Sequence, residues 1–236
     1  MSTSKFDEGA EFREGLRHSL PFILSVFPYG MVVGTLGVNN GGSPLEVMLQ
    51  SALFFAGASQ TVMWELFGAG TPVWVIPLAI FAVNFRLVLY SAAIGRKLEP
   101  LSKPKMASAL FLLQDIAMAV GMKRADSPRG LSYGHFMGVN AVLYVVWLIA
   151  TGMGVIFGQL IDDPKAVGLD MLVPIYFLLL VMGFRGKPNM ALVFTVSACV
   201  AGATYYLVGS PYHIAAGGLA GMFVAASVAK QDSANV

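Results

Sequence analysis

Arg86 lies in a stretch, Leu66 to Gly95, that is otherwise without charge. It stands nine residues before Gly95, so in a helix it sits roughly 14 Å deep at 1.5 Å per residue. An arginine held in apolar surroundings needs a partner: a carboxylate, backbone carbonyls, or the carboxylate of a bound molecule. Asp115, beside Gln114 in the apolar stretch Met106 to Met122, is the natural candidate. One reading is a fixed Arg86–Asp115 pair that ties two helices together. The other makes Asp115 a protonatable coupling group, because burial raises a carboxyl pKa and a nearby cation lowers it. Asn84 and Tyr90 flank Arg86. Arg86 and Tyr90, four apart, share a helix face. Asn84 points roughly 200° away from Arg86 in a regular helix, so an interhelical hydrogen bond competes with ligand binding there. Gly57, Ser59 and Gln60 form a third group, a flexible break with hydrogen-bonding side chains. A broken helix offers N–H groups to a carboxylate and carbonyls to an ammonium. A kinked helix whose Gln60 bonds a neighbour is the plainer alternative.

Other polar positions carry less. Pro21 and Pro174 fit kinks or first turns. Asp170 precedes an apolar segment and suits an N-cap. His135 and His213 each stand alone in the sequence, and no His, Cys or carboxylate cluster has metal-ligand spacing, so no metal site and no cofactor is expected. Cys199, the single cysteine, lies in an apolar stretch and is expected to be a buried, inert thiol. There is no nucleotide-binding loop and no Ser/His/Asp arrangement, so neither ATP-driven nor hydrolytic chemistry is indicated, and the chain is not expected to be an enzyme.

The elements that must hold these residues are membrane helices. Of 236 residues, 56% are hydrophobic and 12% charged, about half the charge of a soluble domain. That much apolar side chain must face lipid. The net charge is +2, and the basic residues fall in loops, which argues against a nucleic-acid partner. Spanning helices need about 20 apolar residues. Candidates are Ser19–Val38, Val47–Trp64, Leu66–Gly95, Met106–Met122, Phe136–Ile161, Met171–Phe184 and Pro188–Ala229, the last divided at Gly209-Ser210-Pro211. Met1 to Glu14 reads as a solvated charged tail. The fold class is therefore all-α: a polytopic helix bundle of about six to eight hydrophobic segments in one membrane domain.

Loop charge orients the bundle. Arg96, Lys97, Lys103 and Lys105 mark one cytoplasmic loop; Lys123, Arg124 and Arg129 a second; Arg185 and Lys187 a third. Asn39–Pro44, Gly68–Pro72 and Gln159–Asp170 read as external. If Val47–Trp64 crossed the bilayer, the basic loop after Gly95 would face outward. The conflict disappears if Pro44–Gly70 is a re-entrant hairpin broken near Gly57-Ala58-Ser59-Gln60. Met106–Met122, basic at both ends, reads as a second hairpin or as a crossing that breaks the rule. Irregular backbone at membrane depth survives only where protein or a cavity surrounds it, so either hairpin marks the working part. A weak repeat points the same way: Gly15-Leu16-Arg17-x-x-Leu20-Pro21-Phe22 resembles Gly168-Leu169-Asp170-x-x-Val173-Pro174-Ile175. It suggests inverted repeats over 15–95 and 168–229, joined by helices in 105–161. Small-xxx-small pairs (Gly30/Gly34, Gly134/Gly138, Gly154/Gly158, Gly217/Gly221) read as packing faces.

Phe12-x-x-Gly15 leading to Ser19-Leu20-Pro21, then Ala56-Gly57-Ala58-Ser59-Gln60, and above all Asn84-x-Arg86 with Leu89-Tyr90-Ser91, resemble the AzlC family. This is the large subunit of two-component branched-chain amino acid permeases. Asp115 and Leu169-Asp170 match later positions, and the resemblance runs from about Phe12 to Ala229. It implies a multi-pass protein of the cell membrane that exports valine, leucine and isoleucine, with methionine a further candidate. It also implies a small hydrophobic partner of the AzlD type, and a site drawn from Gly57, Ser59, Gln60, Asn84, Arg86, Tyr90 and Asp115. The family often has Glu after the aspartate; here Ile116 stands there, so any proton coupling that relies on that Glu must be arranged otherwise. A proton-driven exporter is the first expectation, a channel-like pore the alternative, and a scaffold for an active partner the third.

Overall fold

The structure, a computed structural model, describes residues 6–98, 101–160, 189–209 and 212–234, together with 171, 178, 182, 185 and 186. The described residues are helical, without strands. The helices are α1 (Glu8–Asn39), α2 (Pro44–Leu53), α3 (Gly57–Gly68), α4 (Val75–Gly95), α5 (Lys103–Phe111), α6 (Asp115–Ala125), α7 (Tyr133–Leu160), α8 (Met190–Leu207) and α9 (Tyr212–Ala234). Four are long and apolar enough to cross a membrane: Glu8–Asn39, Val75–Gly95, Tyr133–Gly158 and Met190–Leu207. Large apolar side chains such as Leu24, Phe81, Ile149, Leu207 and Phe223 lie on the outside, as a lipid-facing surface requires.

The spine of the molecule is α1 packed on α7. Glycines set the closeness. Gly138 lies against the Phe12 carbonyl, Gly154 against the Met31 carbonyl and Gly34 against the Thr151 carbonyl, with no room for a Cβ at any of the three. Thr35 Oγ1 donates to the Gly154 carbonyl at 2.9 Å. Small residues let two backbones meet where apolar lipid gives no hydrophobic drive for association. Residue numbers rise together along the contact, so α1 and α7 run parallel.

Two hairpins dock on this spine from opposite ends. In α2–α3, Gln50 meets Met63 at 2.7 Å, Ser51 meets Gln60 at 3.3 Å, and Val47 clusters with Trp64 and Val155. Gly68 returns to Asn40, at the end of α1 where the hairpin began. The hairpin thus enters and leaves at one end, the arrangement that removes the conflict with loop charge. Its break is Phe54–Ala56, three residues earlier than expected; Gly57 to Gln60 open the returning helix instead. In α5–α6, Ser108 bonds Tyr133 at 2.8 Å, and Arg124 reaches Glu11, so both ends of that hairpin lie at the opposite end of the spine. Its break is Leu112–Gln114. The tips meet midway, where Phe55, Leu112 and Ile116 pack with Tyr29 and Trp147.

Three expectations need correction. Met1–Glu14 is not simply a solvated tail: α1 starts at Glu8, N-capped by Asp7 with Glu8 and Glu11 in its first turn, where acidic groups favour the helix dipole. Leu66–Gly95 is not one segment. α3 ends at Gly68, a turn containing Gly70 at φ 66° follows, and α4 begins at Val75. Cys199 is exposed on the outer face of α8 rather than buried. α8 and α9 pair through Ser197, which donates to the Gly217 carbonyl at 2.7 Å, and α9 also touches α4. Apart from Met171, the Gly168–Ile175 copy of the expected repeat, including Asp170 and Pro174, lies outside the described residues, as does most of Met171–Phe184. The described helices show a different repetition: a long helix followed by a hairpin, α1–α3 and then α4–α6, entered from opposite ends.

Candidate functional site

A cavity forms where the two hairpin tips meet, lined by Val26, Tyr29, Phe55, Ala56, Gly57, Ala58, Asn84, Arg86, Leu87, Gln114, Asp115, Ile116 and Trp147. Its shape follows from the two breaks. The N-terminus of α3 opens at Gly57 with no side chain capping it. That leaves the Gly57 and Ala58 N–H groups available, while those of Ser59 and Gln60 donate to the Ala56 carbonyl, and it sets the positive end of the helix dipole at the cavity wall. Gly57 is required there, because a Cβ would lie 2.6 Å from Tyr29 Cε1 and 2.7 Å from Trp147 Cη2. The N-terminus of α6 begins at Asp115 and is capped by Gln114, whose Oε1 accepts from the Ile116 N–H at 2.9 Å.

Arg86 and Asp115 pair at 3.1 Å. Tyr90 donates to the other carboxylate oxygen, also at 3.1 Å. Both oxygens of Asp115 are thus engaged, the geometry of the static pair. Arg86 Nε keeps no partner, nor do Gln114 Nε2 and Trp147 Nε1, all buried. Among the side chains that line the cavity, the buried atoms without a partner are therefore N–H donors. Apolar contact surface comes from Val26, Phe55, Leu87 and Ile116.

Of the residues singled out in the sequence, Gly57, Asn84, Arg86 and Asp115 line the cavity. Asn84 reaches it although α4 is continuous, and its Oδ1 accepts from Ser59 at 2.6 Å; the interhelical bond is real and holds α3 to α4. Tyr90 stands behind Asp115. Gln60 turns into its own hairpin, bonding the Phe54 carbonyl and Ser51, and is 1% exposed. Ser59 and Gln60 thus shape the break rather than line the space.

Sequence reasoning missed Gln114 as a cavity residue, and also Trp147 and Tyr29, which look like ordinary core aromatics. It also missed the polar network at the basic end of the spine. Arg124, 9% exposed, binds Glu11 at 2.8 Å and Glu14 at 3.3 Å. Glu8 accepts from the Gly134 N–H. His135 is not alone: its Nε2 lies 2.9 Å from His18 Nδ1, and it is fully buried. The signal available was the Glu8-Glu11-Glu14-His18 spacing, one acidic or imidazole group per helical turn. Among the described residues no group of His, Cys, Asp and Glu is placed to hold a metal.

The comparisons with known proteins agree with this architecture. The family model described as AzlC protein matches residues 21–161, which contain both hairpins and the cavity. The chain is 30% identical over 222 residues to "Inner membrane protein YgaZ" of Escherichia coli, covering 92% of this chain and 90% of that protein. It is 31% identical over 189 residues to an "Uncharacterized membrane protein" of Archaeoglobus fulgidus, covering 79% and 82%. It is 24% identical over 173 residues to "Branched-chain amino acid transport protein AzlC" of Bacillus subtilis, covering 72% and 66%. No solved structure matches. A polytopic helical protein with paired broken hairpins, matched over most of its length by these membrane relatives, this chain belongs to the AzlC family.

Proposed function

We propose that the protein is the large subunit of a two-component exporter of branched-chain amino acids in the cell membrane, driven by the proton gradient and completed by a small AzlD-type subunit. The observation that carries this is the cavity between the two hairpin tips. It sets buried N–H donors and an uncapped helix N-terminus beside an apolar wall. A carboxylate suits the donors, and a valine, leucine or isoleucine side chain suits Val26, Phe55, Leu87 and Ile116. The name of the Bacillus subtilis relative supports the same substrate class. Two tips meeting across the cavity support a carrier over an open pore, since a pore needs a continuous path.

The test is amino acid efflux from cells preloaded with valine-containing dipeptides, with and without this chain plus its small partner. Faster valine and leucine efflux that collapses with the proton gradient is the expected result. Equal efflux, with both subunits found in the membrane, would remove the substrate assignment.

A further inference from the structure

We propose that His135 and His18 form the cytoplasmic proton exit, the last leg by which a proton crossing the membrane against the exported amino acid returns to water. The inference rests on the reading that export is driven by the proton gradient. Three groups run from inside the α1–α7 spine to its surface. His135 is fully buried. Its Nε2 lies 2.9 Å from His18 Nδ1, with the two rings edge to face. The His18 side chain is 48% exposed, and its Nε2 lies 3.9 Å from Glu14 Oε1. Beside it is a surface depression lined by Ala10, Arg13, Glu14, Arg17 and His18. This is the end of the spine that Lys123, Arg124 and Arg129 assign to the cytoplasm.

The partners decide where the protons stand. A neutral imidazole carries one N–H and one bare nitrogen. Glu14 faces His18 Nε2, and a carboxylate accepts, so the His18 proton belongs there. His18 Nδ1 is then bare and accepts from His135 Nε2. His135 Nδ1 is left bare, and it is a buried nitrogen without a partner. Both N–H groups therefore point toward the surface. A proton added at His135 Nδ1 displaces the Nε2 proton onto His18 Nδ1 in the same step, so the buried ring stays neutral. The charge appears on half-exposed His18 beside Glu14, where water and a carboxylate stabilise it. His18 then releases its Nε2 proton to water, and tautomer exchange at each ring restores the start. One proton enters and one leaves, in the direction that export against proton entry requires. The surrounding charges are fixed. Arg13 and Arg17 flank His18 on α1, Glu11 and Glu14 on α1 and Arg124 on α6 face His135, and Arg124 and Arg129 each hold Glu14 at 3.3 Å. Imidazole is the side chain suited to passing protons among them.

The test places the full chain with its small partner in proteoliposomes at equal pH on both sides. One readout is leucine counterflow, which exchanges internal for external leucine and moves no net proton. The other is leucine transport driven by an imposed membrane potential, which acts on the proton because leucine has no net charge. His135→Gln keeps an amide at the site but relays nothing. It should leave counterflow intact and cut potential-driven transport by at least about tenfold, a conservative bound on what a positioned proton-transfer group contributes. His18→Ala should do the same, and imidazole on both sides should restore transport by filling the half-exposed place. Nitrogen-15 NMR of ring-labelled histidines in the native complex should find both His135 and His18 protonated on Nε2. Potential-driven transport that survives His135→Gln overturns the inference, as does a native His135 protonated on Nδ1. If His135→Gln loses counterflow too, His18→Ala decides: recovery with imidazole sustains the relay, and no recovery overturns it. Counterflow by the native complex that no potential drives removes the proton coupling and the inference, and leaves amino acid exchange standing. Absence of counterflow ends both.

Discussion

Arg86 and Asp115 are each explained by the other, and that mutual dependence fixes how they should respond to substitution. The pair is only partly shielded, at 32% and 23% side-chain exposure. Removing one partner of a fully buried pair costs about 3–5 kcal/mol, and exposure reduces that figure. Arg86→Ala should bring efflux to background, because it removes both the pair and the Nε donor. It should also lower the thermal unfolding temperature more than the double variant Arg86→Ala/Asp115→Ala does, since the double variant leaves no unpaired charge. A double variant less stable than the single would show that the pair is not the main attachment of these groups. Asp115→Asn should also stop export; if the variant still concentrates substrate against a gradient, the carboxylate is structural. Gly57 yields a separate prediction. Its Cβ position is 2.6 Å from Tyr29 and 2.7 Å from Trp147, so Gly57→Val must push one ring into the cavity. Efflux should fall by at least about tenfold at unchanged membrane abundance, as expected when a tight site is overfilled. Unchanged efflux would place the substrate path elsewhere.

The elements were legible to different degrees, for physical reasons. The first hairpin was readable because a crossing there would have put the basic loop after Gly95 on the outer side, against the charge rule. Its break was displaced by three residues, because Gly57 looked like the break and is instead the first residue of the returning helix. The second hairpin was readable only as an alternative, since basic residues at both ends do not separate a hairpin from an exception to the charge rule. The start of α1 was misread because charge was taken for solvation, whereas Glu8, Glu11 and Glu14 are bound by α6, by Arg129 and by the start of α7. Asn84, Arg86 and Asp115 were found from the cost of polar groups in lipid; Gln114 and Trp147 were not, since nothing in their spacing differs from packing. Two predictions belong to this scale. Gly154→Leu should destroy the α1–α7 contact, because the Met31 carbonyl already fills the site, and should abolish folded protein in size-exclusion chromatography. A monodisperse variant would mean the helices can separate. At the mouth of the first hairpin, the Ser43 hydroxyl and N–H both donate to Glu46 and hold its pKa below the ordinary carboxylate value of 4.5. A depressed folded-state pKa gives stability that is present above the unfolded value and lost as pH falls through the folded one. The unfolding-temperature difference between the native chain and Glu46→Gln should therefore be constant at neutral pH and shrink progressively as pH falls below the ordinary value of 4.5. A difference that persists in acid would assign it to something other than this cap.

At the scale of the whole molecule, the parallel course of α1 and α7 constrains everything between them. α1 ends on one side of the membrane and α7 starts on the other, so the intervening chain must make an odd number of crossings. α4 alone satisfies this if both hairpins are re-entrant; three crossings satisfy it if neither is. One hairpin cannot differ from the other. Each hairpin's two ends lie at a single end of the spine, Asn40 with Gly68 and Lys105 with Arg124, which selects the first solution. It makes α1–α3 and α4–α6 two units of like build and opposite direction, with their tips at a shared cavity, an arrangement suited to opening the cavity to either side in turn. The selection can be checked directly. In a Cys199→Ser background, which removes the exposed native thiol, a cysteine at Thr71 and another at Ser127 should react with a membrane-impermeant maleimide from opposite sides. If α2–α3 crossed instead, Thr71 would lie on the same side as Ser127 and both would label together. Labelling from the same side would therefore discard the opposed-hairpin arrangement, while labelling from opposite sides leaves α4 as the single crossing between α1 and α7. The cavity would then sit between one gate facing outward and one facing the cytoplasm.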